Sequence, residues 1–174
     1  MISSVRGLFE EFDGSIYTTG KDFLSAEVDM WIAPSSLKTG DSKRDEHLRS
    51  SDFFDVSHYQ QISFVMHTVS KINSSDLYQV WGDLTIKDIT KDIQLNVQFG
   101  GFVTDPEGKE KAGFTVSGKL IRSDFGLLWN SAWTKGGFVI DEEVSILCEL
   151  ELFNTGQDIL MMRVEHNEAD SRVF

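Results

Sequence analysis

The 174-residue sequence predicts an all-β protein, folded as an antiparallel sandwich or an up-and-down barrel. Apolar and polar residues alternate with period two in one segment after another, and turn sequences separate these segments at regular spacing. The alternation breaks off once, between residues 39 and 64, where a run of charged residues follows a strand. A chain of this length is expected to form one domain and to bury a substantial core.

Each predicted strand is a segment in which the apolar residues fall on one face. The first ends at Asp13 and Gly14, a pair that favours a two-residue hairpin turn. The second alternates cleanly and then meets Pro34, which ends the strand or places it at a sheet edge. The predicted strands cover residues 5–12, 15–34, 62–72, 77–88, 91–104, 110–122 and 143–154.

Glycine and proline mark the turns and bends of the second half of the sheet. The sequence from Asp105 to Gly108 has proline in its second position and glycine in its fourth, as a type I turn prefers. The glycine pairs at residues 100–101 and 136–137 predict bulges or barrel corners, because such positions need a residue without a side chain.

The charged segment predicts a short helix within residues 43–54. Ser42, followed three residues later by Asp45, resembles a capping box at the start of such a helix, and Leu48 is its one apolar contact. We expect this helix to form a plug between two strands of the sheet.

The composition narrows the range of functions. Acidic residues outnumber basic ones by 28 to 16, and the formal net charge of −12 argues against nucleic acids and anionic membrane surfaces as partners. Cys148 is the one cysteine, so the chain forms no internal disulfide and no cysteine-based zinc site. His58, His67 and His166 have no spacing that suggests a metal site. We therefore expect no metal and no cofactor.

Hydropathy and the first residues bear on the location of the protein. No apolar stretch approaches the ~20 residues that span a bilayer, so we expect no transmembrane segment. Residues 1–6 lack the charged and apolar regions of a signal peptide. We expect the chain as given to be cytoplasmic, or periplasmic or secreted if an N-terminal segment is missing.

The predicted inner faces carry almost nothing that ionises, and they include small residues where a tightly filled core needs bulk. These small residues are Ala26, Gly82, Ala112 and Gly118. An eight-stranded barrel either just fills with side chains or holds one small ligand. The small residues favour a ligand, unless large neighbours fill the space that they leave. Those neighbours are Phe64, Phe99 and Phe114.

Five motifs follow one another in a characteristic order. They are Arg44-Asp45-x-His47-Leu48, Asp52-Phe53-Phe54-Asp55, Ile62-x-Phe64, Gly82-x-Leu84-Thr85-Ile86 with Thr90-Lys91, and Arg122-x-Asp124-Phe125-Gly126. Together they resemble the YceI-like family of lipocalin-like, polyisoprenoid-binding proteins. The match runs from about Val5 to Phe153. It departs from the family pattern at Gln61, where proline is usual, and at Asp88, where glycine is usual, and both departures concern turn geometry.

The resemblance implies an extended antiparallel lipocalin-like β-barrel of about eight strands, formed by residues 1–154 around a long apolar channel. In relatives such a channel holds an isoprenoid chain or a similar long amphiphile. Family members also carry a first strand with a histidine-serine pair, which this chain lacks. We expect the tail at residues 158–166 or a neighbouring chain, as in a homodimer, to close the exposed sheet edge. Residues 155–174 form a C-terminal extension that is either disordered or an added strand.

We expect the protein to bind, store or transport a polyisoprenoid or fatty amphiphile without catalysis, as the resemblance implies. One alternative is a partner-binding or stress-response module with a filled barrel, which uses the outward-facing Trp31 and Trp81. Another is an enzyme acting on a lipid, with His47 as general base, although no nucleophile or metal cluster accompanies it. The residues expected to line the channel are Val28, Met30, Ile32, Phe64, Met66, Val80, Leu84, Leu95, Val97, Phe114, Val116, Ile146 and Leu150, with Phe53 and Phe54 near one opening.

Five polar residues have two interpretations, as a head-group site or as structural contacts. They are Arg44, Asp45, His47, Arg122 and Asp124. Arg44 suits a phosphate or carboxylate, whereas an ion pair with Asp45 pins the insertion to the barrel rim. The structural interpretation is favoured for that pair. It is also favoured for Arg122 and Asp124, which lie on one face at the predicted end of a strand.

Overall fold

In the part of the chain that the structure describes, eight antiparallel strands close into a barrel, accompanied by a two-stranded sheet and one α-helix. The structure, a computed structural model, describes residues 5–18, 23–73, 76–130, 140–154 and 162–164. The strands are β1 (Leu8–Phe9), β2 (Phe12–Tyr17), β3 (Glu27–Ile32), β4 (Leu37–Lys38), β5 (Ile62–Lys71), β6 (Leu77–Ile86), β7 (Ile89–Thr104), β8 (Glu110–Ile121), β9 (Glu143–Asn154) and β10 (Met162–Val164). The helices are α1 (Ser42–Arg49) and two 3-10 helices, Pro34–Ser36 and Arg122–Phe125.

Around the barrel the strand order is β10-β2-β3-β5-β6-β7-β8-β9, while β1 pairs with β4. The predicted antiparallel barrel with a short helical insertion is therefore confirmed. Strands β5 to β9 each pair with the next in sequence, because their period-two pattern gives each strand one apolar face for the same interior. The described part of the chain contains no helix long and apolar enough to cross a lipid bilayer.

Glycine positions explain two of the predicted irregularities. The bulge predicted at residues 100–101 is confirmed, since β7 carries one extra residue relative to β8 between Phe99 and Gly101. Gly101 has a φ of 112°, a conformation that side chains rarely allow. The turn from Asp105 to Gly108 also forms, with the Gly108 N–H donating to the Asp105 carbonyl at 2.9 Å. The second predicted glycine bend lies outside the described residues.

The predicted hairpin turn at Asp13 and Gly14 is wrong, because both residues lie within β2. A Cβ atom at Gly14 would stand 2.7 Å from Cγ of Met30 on the neighbouring β3. This glycine therefore allows close approach of two paired strands and does not form a turn. The segment predicted as one strand, residues 15–34, accordingly contains the end of β2 and the whole of β3, two strands that pair with each other.

Helix α1 begins one residue earlier than its predicted cap allows. Asp41 is the N-cap, and its carboxylate accepts hydrogen bonds from the backbone N–H groups of Lys43 at 3.0 Å and Arg44 at 3.2 Å. Ser42 is the first residue of the helix itself, so the capping box predicted from Ser42 and Asp45 is displaced.

Strand β10 lies at the closing seam of the barrel, between β2 and β9. Met162 pairs with Ile16 on β2 and with Asn154 on β9. Both strands that meet at the seam therefore have a hydrogen-bonding neighbour from the same chain.

Two apolar clusters pack the interior at opposite ends of the barrel. The Phe23 cluster consists of Phe23, Tyr78, Ala112, Phe114, Leu150 and Leu152. The Phe125 cluster consists of Ile62, Leu84, Ile86, Phe125 and Leu127. Strand β6 contributes its second residue to the first cluster and its last residue to the second, which places the clusters one strand length apart.

Candidate ligand-binding site

A row of inner-wall positions lies between the two clusters. Val80 pairs with Leu95, Leu95 with Gly118 and Gly118 with Ile146, so these positions run side by side across β6, β7, β8 and β9. The three side chains of this row belong to neither cluster. The row therefore marks the middle of the barrel interior.

The strand residues predicted to line the channel lie on the inner face of the sheet. Many of them keep solvent-accessible surface although they point into the barrel. Half-buried residues in this group are Val28, Met30, Ile32, Phe64, Met66, Val97, Val116 and Ile146. Buried ones are Val80, Leu84, Leu95, Phe114 and Leu150. A closely packed core would bury all of these side chains almost completely. Space of at least solvent size therefore reaches the inner wall.

The inner-face glycines do not leave open space of their own. A Cβ atom at Gly82 would stand 2.5 Å from the Phe64 ring, and one at Gly118 would stand 2.5 Å from Cδ2 of Leu95. Large neighbouring side chains therefore fill the space at both glycines. At Gly118 the neighbour is Leu95, where the sequence predicted a phenylalanine. Ala112 is likewise fully buried.

Phe23 packs into one end of the barrel. Its ring centroid lies 5.1 Å from those of Phe99 and Phe114, 6.1 Å from Phe102 and 6.3 Å from Tyr78. Its backbone φ is 57°, which is unusual for a bulky residue. The sequence did not single out Phe23, because the residue lies between two strands where no period-two pattern reveals which way it faces.

Aromatic residues of the insertion lie at the other end. Phe54 packs against the Phe125 cluster and meets the Phe9 ring edge to face at 5.9 Å. Phe53 is buried and lies 5.4 Å from the Trp129 ring. The two phenylalanines predicted near one opening are thus both part of the packing around that end.

Arg44 and Asp45 converge on Thr39. The Asp45 carboxylate accepts from the Thr39 N–H at 2.8 Å and from the Thr39 hydroxyl at 2.5 Å. Nε of Arg44 donates to the same hydroxyl at 2.7 Å, and Nη2 donates to the Thr39 carbonyl at 3.0 Å. The Thr39 hydroxyl is the main reason why the pKa of Asp45 lies below its usual value. These contacts tie α1 to the segment that precedes it.

His47 is held by polar and aromatic neighbours. Its Nε2 lies 2.9 Å from Oδ2 of Asp52, and its ring meets Phe53 at 5.2 Å and Trp129 at 4.5 Å, both edge to face. Asp52 holds the imidazole from one side and the two aromatic rings contact it, while 36% of the His47 side chain stays exposed.

Arg122 and Asp124 do not share a strand face, which corrects the sequence interpretation. Strand β8 ends at Ile121, and the 3-10 helix that follows, with three residues per turn, sends positions two apart in different directions. Arg122 is 4% exposed, whereas Asp124 is exposed.

The buried Arg122 guanidinium organises the segment that follows it. It donates to the carbonyls of Leu127 at 2.5 Å, Trp129 at 2.9 Å and Asp141 at 2.9 Å, and Nη2 pairs with the Glu142 carboxylate at 2.6 Å. These donors satisfy backbone groups that no strand or helix engages.

Cys148 lies on the inner face of β9, packed against the Phe23 cluster. Burial raises the pKa of its thiol to about 11, with a smaller contribution from the negative charge of Glu149. A protonated thiol in an apolar setting behaves as a small core side chain and is a poor nucleophile.

His67, Asp83 and Asp92 meet on the outer surface, which their spacing in sequence did not reveal. Nε2 of His67 lies 3.0 Å from Oδ1 of Asp92, and the ligating atoms of all three residues lie within 4.8 Å of one another. All three residues are exposed, and exposed groups of this kind commonly hold no ion. The contact that the structure shows here is the one between His67 and Asp92, with the Asp83 carboxylate beside it.

A cleft of about 760 Å³ opens between β3 and β5. Its lining includes inner-face residues, among them Val28 and Met66, and outer-face residues, among them Ser15 and Asp29. No sequence pattern marks this cleft, because it depends on where two strands distant in sequence cease to pair.

Comparisons with known proteins agree with this geometry. A family model described as a YceI-like domain matches residues 1–152. A UPF0312 protein of Staphylococcus aureus strain MSSA476 is 34% identical over 152 residues, covering 87% of this chain and 85% of that protein. The Campylobacter jejuni YceI protein has a crystal structure that aligns with a TM-score of 0.75 and 31% identity, over 88% of this chain and 86% of that one.

A more distant structure shares the fold alone. The crystal structure of Burkholderia cenocepacia BcnA aligns with a TM-score of 0.73 at 22% identity, over 87% of this chain and 89% of that one. Family match, sequence identity and barrel architecture thus converge, and the chain belongs to the YceI-like family.

Proposed function

We propose that this protein binds one long, mostly apolar amphiphile lengthwise in the barrel and stores or carries it without transforming it. The observation that carries the proposal is the accessible apolar inner wall, on which residues such as Val116 and Ile146 remain half-buried inside a closed sheet. Membership of a family known for polyisoprenoid-like ligands supports the same ligand class.

Tight binding of an apolar chain requires few specific polar contacts. Each CH₂ group that leaves water contributes about 0.8 kcal/mol, so a long isoprenoid or acyl chain reaches nanomolar-scale affinity after the costs of association. The inner wall offers contact area and few polar groups, which suits a ligand recognised by length and apolar character.

Binding without catalysis also fits the polar residues. His47 is paired with Asp52 and contacts the rings of Phe53 and Trp129, and Cys148 is a buried, protonated thiol. We propose structural roles for Arg44, Asp45 and Arg122, because their donors and acceptors engage backbone and side-chain groups of this chain.

A second candidate function is a partner-binding module with a self-filled barrel. It is favoured by the packing of Phe64 on Gly82 and of Leu95 on Gly118, and by Trp31, which is 39% exposed on the outer face. The two candidates differ in whether the purified protein contains an apolar guest.

Mass spectrometry of organic-solvent extracts of the purified protein tests the proposal. We expect a long-chain amphiphile at close to one molecule per chain, absent from extracts of the urea-unfolded and refolded protein. In a homologous series of alcohols, affinity should rise with chain length and then level off when the channel is full.

Matched variants of β9 locate the binding site. Ile146 faces inward in the central row, whereas its neighbour Leu147 faces outward and is 61% exposed. Ile146→Trp should shorten the longest alcohol accepted, and Leu147→Trp should leave the series unchanged. Equal chain-length profiles for both folded variants, together with guest-free extracts, would favour the partner-binding module.

A further inference from the structure

The cleft between β3 and β5 lies in the side of the barrel wall, where these two strands stop pairing. The paired register of these strands runs from Ile32 with Ile62 to Asp29 with Val65. Beyond that point the two strands no longer pair, and they line opposite sides of the cleft. Val28 lies on the β3 side.

A β-bulge accounts for the separation of the strands. Met66 of β5 pairs with Gly82 of β6, and the next pair is Thr68 with Trp81, which leaves His67 as the extra residue. A bulge bends its strand and increases the local twist. β5 therefore stays paired with β6 beyond this point while it turns away from β3.

Residues from both faces of the sheet line the cleft. Its rim includes Ser15, Tyr17 and His67, which lie on the outer face of the sheet. Its deeper lining includes Ala26 and Val69, which also pack against the Phe23 cluster inside the barrel. An apolar chain that passes between the strands would reach the inner wall beside the Phe23 cluster.

The charge at the rim is negative. Glu27 and Asp29 are exposed on it, and the imidazole of His67 is engaged by Asp92 at 3.0 Å. Among the described residues that line the cleft, none is a lysine or an arginine. Carboxylates at an opening repel an anionic head group and attract a cationic one.

We propose that this cleft is the entrance through which an amphiphile reaches the barrel interior, and that its acidic rim favours neutral or cationic head groups over anionic ones. The inference rests on the proposed function and adds to it the route of binding and the class of head group. The Ser15 hydroxyl at the rim can hydrogen-bond a neutral head group.

Three amphiphiles with the same twelve-carbon chain test the head-group preference. Dodecylamine, dodecanol and laurate are compared, below their micellar concentrations, as competitors of the neutral fluorophore N-phenyl-1-naphthylamine. We expect laurate to need an about tenfold higher concentration than the other two in low salt, and the difference to shrink at high ionic strength.

Charge variants assign this preference to the rim. Glu27→Gln combined with Asp29→Asn should reduce the difference between the laurate concentration and the dodecanol concentration needed to displace the fluorophore. Glu107→Gln combined with Glu149→Gln removes the same charge from exposed positions elsewhere on the protein. This control should leave the weaker binding of laurate unchanged. An equal penalty in both double variants, or a preference for laurate in the unaltered protein, would overturn the head-group inference.

Association kinetics test the entrance. Thr68→Trp narrows the rim, and Thr115→Trp places the same side chain on the outer face of β8. Stopped-flow mixing should show association and dissociation of the fluorophore slowed several-fold by Thr68→Trp alone, at nearly unchanged affinity. Equal rates in the two folded variants would exclude this entrance while leaving lipid binding intact. If the unaltered protein binds neither the fluorophore nor any competitor, the proposed function fails and the entrance with it.

Discussion

The Phe64 ring of β5 lies directly over Gly82 of β6, so that a Cβ atom at Gly82 would stand 2.5 Å from Cζ of that ring. The same Cβ would stand 2.6 Å from the backbone carbonyl oxygen of Val65, which cannot rotate away. The glycine thus sets the position of an aromatic side chain on the inner wall.

Gly82→Ala should destabilise the protein by about 1–3 kcal/mol, because the added methyl group overpacks a site bounded by backbone. Gly113→Ala is the matched control, since a Cβ atom there meets nothing within 4 Å. Urea unfolding of both variants checks the expectation. Equal midpoints would show that Phe64 and its strand adjust without cost.

Arg122→Ala should cost about 3 kcal/mol or more, because the carbonyls of Leu127 and Trp129 lose a buried donor. Asp124→Asn, two residues away and exposed, should change the free energy of unfolding by about 0.5 kcal/mol or less. Thermal unfolding of the two variants measures the difference. A small effect of Arg122→Ala would mean that water replaces the guanidinium.

Asp45→Asn should lower stability at pH 7, and the difference from the unaltered protein should vanish in acid. The hydrogen bonds from Thr39 hold the pKa of Asp45 below its usual value, so the carboxylate stabilises the fold at pH values above the unfolded pKa of about 3.9. That contribution is lost as the pH falls through the folded pKa. Unfolding measured in steps from pH 7 into acid tests this, with the exposed Glu46→Gln as control.

Cys148 should react slowly with iodoacetamide at pH 8 in the folded protein and quickly in urea. Burial raises the pKa of the folded thiol to about 11, whereas the pKa of an unfolded cysteine is about 8.5. Mass spectrometry of the alkylated chain follows the reaction. Rapid labelling of the folded protein would indicate that the interior around Cys148 opens readily to solvent.

Deletion of residues 156–174 removes β10 and should leave β2 and β9 without a partner at the seam. Unpaired strand edges associate with one another, so the truncated protein should form dimers or larger species. Deletion of residues 166–174 keeps β10 and serves as the control. Light scattering after size exclusion distinguishes them, and a monomeric, folded first variant would contradict the expectation.

Much of the fold could be predicted from the sequence, because local periodicity carries the information. Strands β5 to β9 follow an alternation that each segment displays by itself, and the bulge at Gly101 follows from a glycine pair within a strand. The hairpin turn predicted at Asp13 and Gly14 was wrong. In sequence, a glycine that permits close approach of two strands cannot be distinguished from a glycine that permits a turn.

The candidate site was less predictable, because its features join distant segments. Inner-face residues such as Val116 could be predicted from alternation. The packing of Phe23, the partners of Arg122 and the cleft between β3 and β5 depend on contacts that no local pattern specifies. The contact of Asp45 with Thr39 could not be predicted, because the expected partner was Arg44.

The shortness of β10 has a consequence for hydrogen exchange. Strand β10 spans Met162–Val164, whereas β8 and β9 pair along almost their whole lengths. Brief openings of a folded protein begin where the fewest bonds must break together. Amide protons that β2 donates across the seam to β10 should therefore exchange with solvent long before those that join β8 to β9. The seam, more than either packed end, should set how often the barrel opens.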